Sequence, residues 1–316
     1  MIWEKGMHPE IHFFIGKGGV GKSTVSAMTA LHFAQSGLNT LLVSMDPAHN
    51  QRDLFEADFC EKPRKVVKSL EVKEVDTGFW IAKYLAETRE QLRKSYLYQS
   101  AFNLQTHFKV LQYSPGLEEY ALLMAFESTL RRQADKDVIV FDMAPTALSL
   151  RFFSLPGITL VWLEELLKLR NLICEKKEII SSIRLGSREI EQDRIKARIK
   201  TLTDRQVRLR DCFADHRTHV HLVMNADRLS LSEALRIRRV LADISIPIDR
   251  AVVNKVKPED SITAITSEFD PRSVSVLPLA DCDLIGVQAL QRYVMHHENL
   301  FPEMSPLGRL NHCVSS

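Results

Sequence analysis

The chain has 316 residues, 45% of them apolar and 26% charged, so it is long enough to bury one large core or two. Its 42 basic and 40 acidic residues leave a net charge of +2, which argues against a nucleic-acid or membrane partner recruited by bulk charge. Five scattered cysteines without a C-x-x-C pair favour reduced thiols. We expect neither a secretion signal nor a run of about 18 apolar residues that could span a membrane, and hence a cytoplasmic protein.

The first predicted strand, residues 11–15, runs directly into a glycine-rich loop that is followed by a predicted helix at residues 25–35. The loop has the pattern G-x-x-x-x-G-K-[ST] of a P-loop. Glycines let several backbone N–H groups turn towards one anion, and the helix adds its positive end. Lys22 is expected to reach the β- and γ-phosphates, and the Ser23 hydroxyl to bind Mg²⁺. The residues predicted to hold nucleotide are Gly16, Lys17, Gly18, Gly19, Val20, Gly21, Lys22, Ser23 and Thr24.

A second strand is predicted at residues 41–46, about 30 residues after the first. Strand, helix and strand at this separation are typical of a parallel α/β sheet, which places ligands at the carboxyl ends of its strands. Asp46 lies at such an end. Its carboxylate could orient a water molecule or hold Mg²⁺ through water, or it could cap a helix before Pro47.

The middle of the chain alternates between strand and helix patterns. Residues 70–76 alternate like a strand with one solvated face, and helices are predicted at 78–112 and 117–132. Residues 138–142 are a β-branched run that ends in Asp142, which is the Walker B pattern of a carboxylate near Mg²⁺.

Residues 152–213 are predicted as mostly helical, with an apolar stripe first and mixed charge afterwards. Further strands are predicted at 218–225, 250–254 and 273–279, with a helix at 229–242 between the first two.

Two motifs resemble those of a known family. Residues 17–24 resemble the deviant Walker A motif of the family that contains the ArsA arsenite-pump ATPases, the tail-anchored-protein targeting ATPases, MinD and the nitrogenase iron protein. Residues 46–50, with Asp53 and Phe55, resemble the switch I sequence D-P-A-H-N-x-x-D-x-F of the ArsA and targeting branch. The resemblance implies that Asp46 activates water and that Lys17 crosses a homodimer interface to the partner's phosphates. The alternative for Lys17, on spacing alone, is a solvated loop lysine.

The same resemblance implies roles for later residues. Asp227 matches a glutamate that reaches nucleotide across the dimer, although capping of the next helix explains an aspartate there equally well. Asn254 matches an asparagine whose amide reads adenine as both donor and acceptor. Pro278 and Leu279 resemble the corner that packs on adenine. ATP and Mg²⁺ are thus the expected ligands, with Ser23 and Asp142 serving the metal.

Switch II departs from the family pattern, which is close to D-T-A-P-T-G-H-T-L-R. Met143, Ala147 and Leu148 replace its threonine, glycine and histidine, while Arg151 is kept. Loss of the glycine stiffens the backbone and loss of the histidine removes a polar relay group. The sequence leaves open how this switch reports hydrolysis.

We therefore predict one P-loop ATPase domain over residues 1–316. Its fold class is α/β, a doubly wound, mostly parallel sheet like that of the nitrogenase iron protein. An inserted helical subdomain is expected from about 78–134 and 152–216, and a loose tail at 302–316.

The predicted function is an ATP-hydrolysing dimeric switch that acts on a client, either an apolar helix or an anion or metalloid. A client protein or a membrane-associated partner fits this role. One alternative is an arsenite-efflux ATPase, with Cys174 near the metalloid site. Another is a nucleotide-sensing scaffold with negligible hydrolysis. Residues 152–216 lack methionine, which counts against a methionine-rich client groove. Residues 255–277 lack cysteine, so no dimer-bridging zinc of the family type is expected.

Overall fold

The computed structural model describes residues 9–48, 50–95, 116–184 and 194–302, without the side chains of residues 91–95, 177–184 and 194. The chain divides into two compact units, Met1–Phe152 with His216–Ser316, and Phe153–Asp215. The predicted helix at 78–112 is described only as far as Ser95, and the predicted tail lies outside the described residues except for Pro302.

Eight strands of the described chain form one sheet. In chain order they are β1 Glu10–Gly16, β2 Thr40–Ser44, β3 Arg64–Val67, β4 Leu70–Glu74, β5 Val138–Asp142, β6 Thr218–Asn225, β7 Arg250–Val256 and β8 Val274–Pro278. Their spatial order is β3-β4-β2-β5-β1-β6-β7-β8. Every neighbouring pair is parallel except β3 with β4. The predicted α/β class with a mostly parallel sheet is therefore confirmed.

Nine α-helices connect or flank the strands within the described residues. They are α1 Lys22–Gln35, α2 Asn50–Phe55, α3 Thr77–Ser95, α4 Leu117–Arg132, α5 Thr146–Arg184, α6 Arg194–Phe213, α7 Arg228–Asp243, α8 Thr263–Glu268 and α9 Val287–His296. Short 3₁₀ helices occupy Pro271–Ser273 and Glu298–Leu300.

The central strands are buried on both faces. All residues of β1, β2 and β5 are buried, as expected for parallel strands covered by helices on each side. Successive side chains of a strand point to opposite faces. Phe14 belongs to the hydrophobic cluster formed with α1. Phe13 stacks on Phe141 with ring centroids 5.1 Å apart and also packs against Phe126 of α4.

The direction of chain winding reverses at β1. Strands β5 and β2 lie on one side of β1, and β6, β7 and β8 lie on the other. In open α/β sheets this reversal opens a crevice at the carboxyl ends of the strands, where ligands bind. The loop after β1, residues 17–21, lies at that crevice.

The unit Phe153–Asp215 is a helical pair made of most of α5 and all of α6. Phe153 packs edge-on against Phe213, with ring centroids 5.1 Å apart. Leu163 of α5 and Leu209 of α6 are also buried.

Helix α5 is more apolar than we expected from the sequence. Thr146–Lys176 reaches a mean hydropathy of 1.4 in an 18-residue window, of which 28% is buried, so by length and composition it could cross a membrane. The expectation that no stretch approaches this limit was wrong, because the first 18 residues of α5, 146–163, contain a single charged side chain, that of Arg151. The helix of a globular core can pass the same test, so the finding is weak evidence for a membrane span.

Candidate functional site

The P-loop connects the carboxyl end of β1 to the amino end of α1. Gly16, Gly19 and Gly21 have positive φ angles of 152°, 82° and 88°. A Cβ on Gly16 would lie 2.2 Å from the Val223 carbonyl oxygen, so this strand end can pass β6 only as glycine. Gly21 is the N-cap of α1 and makes no side-chain cap, which leaves the first N–H groups of the helix for an anion.

Lys22, the first residue of α1, is buried beneath the loop. Its ammonium donates to the Lys17 carbonyl oxygen at 3.3 Å. Burial lowers the pKa of Lys22, and the nearby charges of Asp142 and Asp46 partly oppose that shift. The predicted catalytic lysine and both predicted carboxylates are therefore brought together at one place. Lys17 itself is exposed on the loop.

Asp46 follows β2 and is only 7% exposed. Its Oδ1 accepts a hydrogen bond from the Ala48 backbone N–H at 3.0 Å. This bond shapes the turn that precedes α2, but Asp46 lies four residues before the first residue of that helix and does not cap it. The bond does not exclude the catalytic interpretation, because a carboxylate has a second oxygen and four lone-pair sites in all.

A buried glutamine, which the sequence analysis did not single out, connects three segments of the site. The Gln51 side-chain amide lies 2.9 Å from Asp142 Oδ2 and 3.1 Å from the Ser23 carbonyl oxygen, and it donates to both. Gln51 is fully buried in α2. Its neighbour Asn50 donates to the Ser23 hydroxyl oxygen at 3.4 Å. The only sequence signal was a glutamine at a variable position inside the switch I pattern.

Asp142 ends β5 and is fully buried. Burial raises its pKa to about 6, although hydrogen bonds from Ser23 and Gln51 and the charge of Lys22 act in the opposite direction. Its Oδ1 has no hydrogen-bond partner among the described residues. A carboxylate oxygen and a hydroxyl are hard ligands of the kind that Mg²⁺ prefers. The orphaned Oδ1 beside Ser23 therefore fits a magnesium ion.

Asn254, near the end of β7, supports the P-loop from below. Its side-chain N–H donates to the Val20 carbonyl oxygen at 2.8 Å, and a Cβ on Gly21 would lie 2.4 Å from the same nitrogen. The next residue, Lys255, has φ 57° and donates to the Gly19 carbonyl oxygen at 3.3 Å. A left-handed residue other than glycine is uncommon and often marks a functional site, but this signal is invisible in a sequence.

A cavity of about 570 Å³ opens beside the loop, at the carboxyl ends of β7 and β8. Its walls include four of the predicted nucleotide residues, Thr24, Asn254, Pro278 and Leu279. The structure thus brings together the P-loop helix, the asparagine and the Pro-Leu corner, which lie far apart in the sequence.

Asp227 caps α7 within its own chain. Both carboxylate oxygens accept from Ser230, one from the backbone N–H and one from the hydroxyl, each at 2.8 Å. These backbone and side-chain hydrogen bonds lower the pKa of Asp227, and the charge of Lys17 adds to the effect. The capping role is thus present, and the contact with nucleotide across a dimer stays a prediction.

The start of switch II is held by buried contacts. Met143 is fully buried, and its N–H donates to the Phe14 carbonyl oxygen at 3.1 Å. Ser149 donates through its hydroxyl to the Ala144 carbonyl oxygen at 2.5 Å. Arg151 donates to Glu119 of α4 at 3.1 Å. Ala147 and Leu148, which stand in place of the family's glycine and histidine, lie in the first turn of α5 and are not buried.

A glycine-rich loop at the switch point of a doubly wound sheet, with a buried lysine and two carboxylates beneath it, defines a P-loop nucleotide-binding protein. The sequence profile of the anion-transporting ATPases matches residues 9–296, so the chain belongs to this ArsA ATPase family. The resemblance drawn from the Walker A and switch I motifs is therefore confirmed.

Individual relatives are similar over most of the chain. A protein of Aquifex aeolicus (strain VF5) named as an arsenical pump-driving ATPase is 26% identical over 308 residues, which cover 89% of this chain and 77% of the relative. ATPase GET3B of Arabidopsis thaliana is 27% identical, with 87% and 75% covered. ATPase ASNA1 homolog 1 of Paramecium tetraurelia is 26% identical, with 89% and 90% covered. The chain is an ATPase of this family, and its substrate is a nucleotide.

Proposed function

We propose that the chain hydrolyses ATP with Mg²⁺ as a homodimeric switch in the cytoplasm and couples the reaction to binding of an apolar helix of a client protein. The observation that carries the choice of client is a row of exposed apolar side chains along α5. The nucleotide chemistry rests on the arrangement around Lys22 and Asp142.

The site would work by positioning and electrostatics, with little covalent chemistry asked of the protein. The P-loop N–H groups and Lys22 hold the phosphates and offset their charge. Ser23 and Asp142 are the residues that would hold Mg²⁺, which supplies further neutralisation of the β- and γ-phosphate charge when bound. Asn50 and Gln51 keep the Ser23 hydroxyl and the Asp142 carboxylate in place through their amides.

Asp46 is the group proposed to orient and deprotonate the attacking water. Its position at the carboxyl end of β2 and the proximity of its charge to Lys22 support this role. The hydrogen bond from Ala48 fixes one oxygen and so restricts the orientation of the carboxylate. The adenine would lie in the cavity between Asn254 and the Pro278–Leu279 corner.

Lys17 is proposed to act on the partner's phosphates. Lys22 already serves the phosphates of its own chain, and the exposed Lys17 side chain is free to cross a two-fold axis. A cation supplied in trans stabilises the charge that builds up during phosphoryl transfer. Asp227, whose charge interacts with that of Lys17, is the second residue proposed to contact nucleotide at this interface.

The apolar face of α5 is the proposed client surface. Ile158, Val161, Trp162, Leu166, Leu169, Leu172 and Ile173 are each 40–67% exposed. At 3.6 residues per turn they fall within an arc of about 140° on one side of the helix, interrupted by Glu165. Phe153 and Leu163 are buried on the opposite side. A helical apolar segment is the partner that such a face accommodates.

The same helix argues against a metalloid as the client. Cys174 is half-buried and falls on the side of Leu163, away from the exposed apolar face. Among the described residues, the group of side chains that could hold a metal ion contains no cysteine. Metalloids of the arsenite type need converging soft thiolates, as other soft ions do.

The test uses Asp46→Asn with ATP and Mg²⁺ and a fluorescent 20-residue apolar helical peptide. The double variant Val161→Ser/Leu169→Ser should bind the peptide at least about tenfold more weakly, because burial of one aliphatic side chain contributes about 1.5–3 kcal/mol. Glu175→Ser, on the same helix, is the matched control and should bind normally.

Equal peptide binding by the double variant would remove α5 as the client surface. Arsenite stimulation of the ATPase that Cys174→Ser abolishes would instead support the efflux alternative. Negligible turnover with normal ATP binding would support the sensing scaffold.

A further inference from the structure

A second cluster of chemically active side chains lies at the opposite end of β1 from the P-loop. Glu10 is the first residue of β1 and Gly16 is the last, so about 20 Å of strand separates them. Glu10 and His12 project from β1, and His219 comes from the neighbouring strand β6. Glu10 and His12 are buried, and the His219 side chain is 19% exposed.

Two histidine nitrogens converge on one carboxylate oxygen. His12 Nε2 lies 3.3 Å and His219 Nε2 lies 3.1 Å from Glu10 Oε1. Both nitrogens are buried, and the Glu10 carboxylate is the polar group that each of them faces within the described part of the chain. One ligand atom from each of the three residues lies within 4.8 Å of the others. Around Zn²⁺, with bonds of about 2.0–2.2 Å, tetrahedral neighbours are about 3.3 Å apart, which matches the two nitrogen–oxygen separations.

The outer nitrogen of each imidazole is already engaged. His219 Nδ1 lies 3.1 Å from Asp249 Oδ1, and His12 Nδ1 lies 2.8 Å from His221 Nε2. Asp249 is itself fixed, because its Oδ2 accepts the Val220 N–H at 2.8 Å. Metal-bound histidines characteristically use their second nitrogen in this way, which fixes the tautomer and aims the other lone pair at the metal.

We propose that Glu10, His12 and His219 form a site for one divalent transition-metal ion, with Zn²⁺ as the best match, and that Asp249 orients His219 in it. Nitrogen ligands with a single carboxylate favour Zn²⁺ over Mg²⁺, which prefers oxygen. Three protein ligands leave at least one position for water. The ion would connect β1, β6 and the segment before β7 at the amino ends of the strands.

The protonation of the two imidazoles bears on the conditions of the test. Burial lowers the pKa of His12, so this ring is neutral and has a lone pair to offer. Burial also acts to lower the pKa of His219, but Asp249 and Glu10 outweigh it and raise the value to about 9. Zn²⁺ must displace that proton, so binding is measured at mildly alkaline pH. The alternative to a metal site is a hydrogen-bonded network in which a protonated His219 lies between Glu10 and Asp249.

The experiment titrates the full-length chain with Zn²⁺ after EDTA treatment, in excess Mg²⁺, by calorimetry, and with Co²⁺ by visible absorption. Cys60→Ser and Cys282→Ser are present in every sample, so that these two exposed thiols add no site. The parent protein should bind one ion per chain. His219→Gln should lose the site, and Asp249→Asn should bind about 10–100-fold more weakly. His296→Gln, which removes an exposed histidine of α9, should bind like the parent.

His219→Gln is the primary variant because its side chain is partly exposed and its replacement perturbs the core less than Glu10→Gln. Its affinity for ADP should equal that of the parent, since the P-loop is distant, and this readout shows that the variant is folded. Absence of a one-to-one site in the parent, or undiminished binding by His219→Gln, would overturn the proposal and leave the proton-holding network.

Discussion

Replacement of Gly21 by alanine tests the contact that joins the P-loop to β7. Gly21 has φ 88°, and a Cβ at this position would lie 2.4 Å from the Asn254 side-chain nitrogen. That nitrogen donates to the Val20 carbonyl oxygen at 2.8 Å, so the amide must move and the buried hydrogen bond must break. Gly19 has a similar φ of 82°, but no described atom beyond its chain neighbours lies within 4 Å of the position that a Cβ would occupy. Gly19→Ala is therefore the matched control.

The expected magnitudes follow from two terms. A left-handed backbone costs a residue with a Cβ about 1–2 kcal/mol, and the lower entropy of the unfolded alanine chain returns about 0.4–1 kcal/mol. Gly19→Ala should therefore destabilise the protein by about 1 kcal/mol. Gly21→Ala also loses a hydrogen bond that contributes about 0.5–1.5 kcal/mol, so its cost should be about 2 kcal/mol.

The assay is urea unfolding without nucleotide, followed by tryptophan fluorescence. Trp3→Phe and Trp162→Phe in all samples leave Trp80, which is 3% exposed, as the reporter of the sheet-bearing unit. In an Asn254→Ala background, Gly21→Ala should cost only as much as Gly19→Ala. If the two glycine variants differ by less than about 0.5 kcal/mol, or if the Asn254→Ala background changes nothing, the contact does not stabilise the loop.

Three further predictions concern turnover. Asp46→Asn should keep its affinity for ATP but release phosphate more slowly by on the order of a hundredfold or more, which is the scale of general-base loss. The control Asp53→Asn, at an exposed position, should have normal activity, and full activity of Asp46→Asn would assign the base elsewhere. Asp46→Asn should sediment as a dimer with ATP and Mg²⁺, and a fully active monomer would contradict this arrangement. In mixtures with wild-type chains, Lys17→Ala chains should lower the activity of their partners, whereas the control Lys62→Ala chains should not. The pKa of Asp142 is about 6, so its carboxylate form and the turnover that needs Mg²⁺ should fall as the pH drops through 6. Since the Gln51 hydrogen bond lowers that pKa, Gln51→Leu should move the acidic limb of the kcat/KM profile to higher pH, and an unmoved limb would exclude Asp142 as the titrating group.

The sheet was predictable where a strand is an apolar run or, like the half-buried β8, alternates in burial, and it was missed where neither pattern is present. Residues 11–15, 41–46 and 138–142 are apolar runs, because parallel strands covered by helices admit few polar side chains. Strand β3, with Arg64 and Lys65 exposed, carries no such signal and was not predicted. Its antiparallel pairing with β4 depends on contacts between strands, which local sequence does not encode.

The candidate site shows the same division. The glycine and lysine spacing of the P-loop is local, so its residues could be identified from the sequence alone. Gln51 could not, because its importance arises from two partners that are 28 and 91 residues away in the chain. The left-handed conformation of Lys255 and its bond to Gly19 likewise depend on the folded loop, so the sequence alone could not indicate them.

These contacts suggest how a change at the phosphates could reach the start of α5. Gln51 binds both the P-loop at Ser23 and the Walker B carboxylate of Asp142, so movement of switch I changes the hydrogen bonding of all three segments together. Met143 and Ala144 are fully buried, Pro145 and Ala147 are exposed, and the chain is confined again at Ser149 and Phe152. Helix α5 begins at Thr146, four residues after Asp142, and it contains Pro156 ahead of the exposed apolar face. The first turn of α5 is therefore the part that movement of switch I would displace, and Pro156, which cannot donate a backbone hydrogen bond inside the helix, keeps that displacement from being carried rigidly along α5.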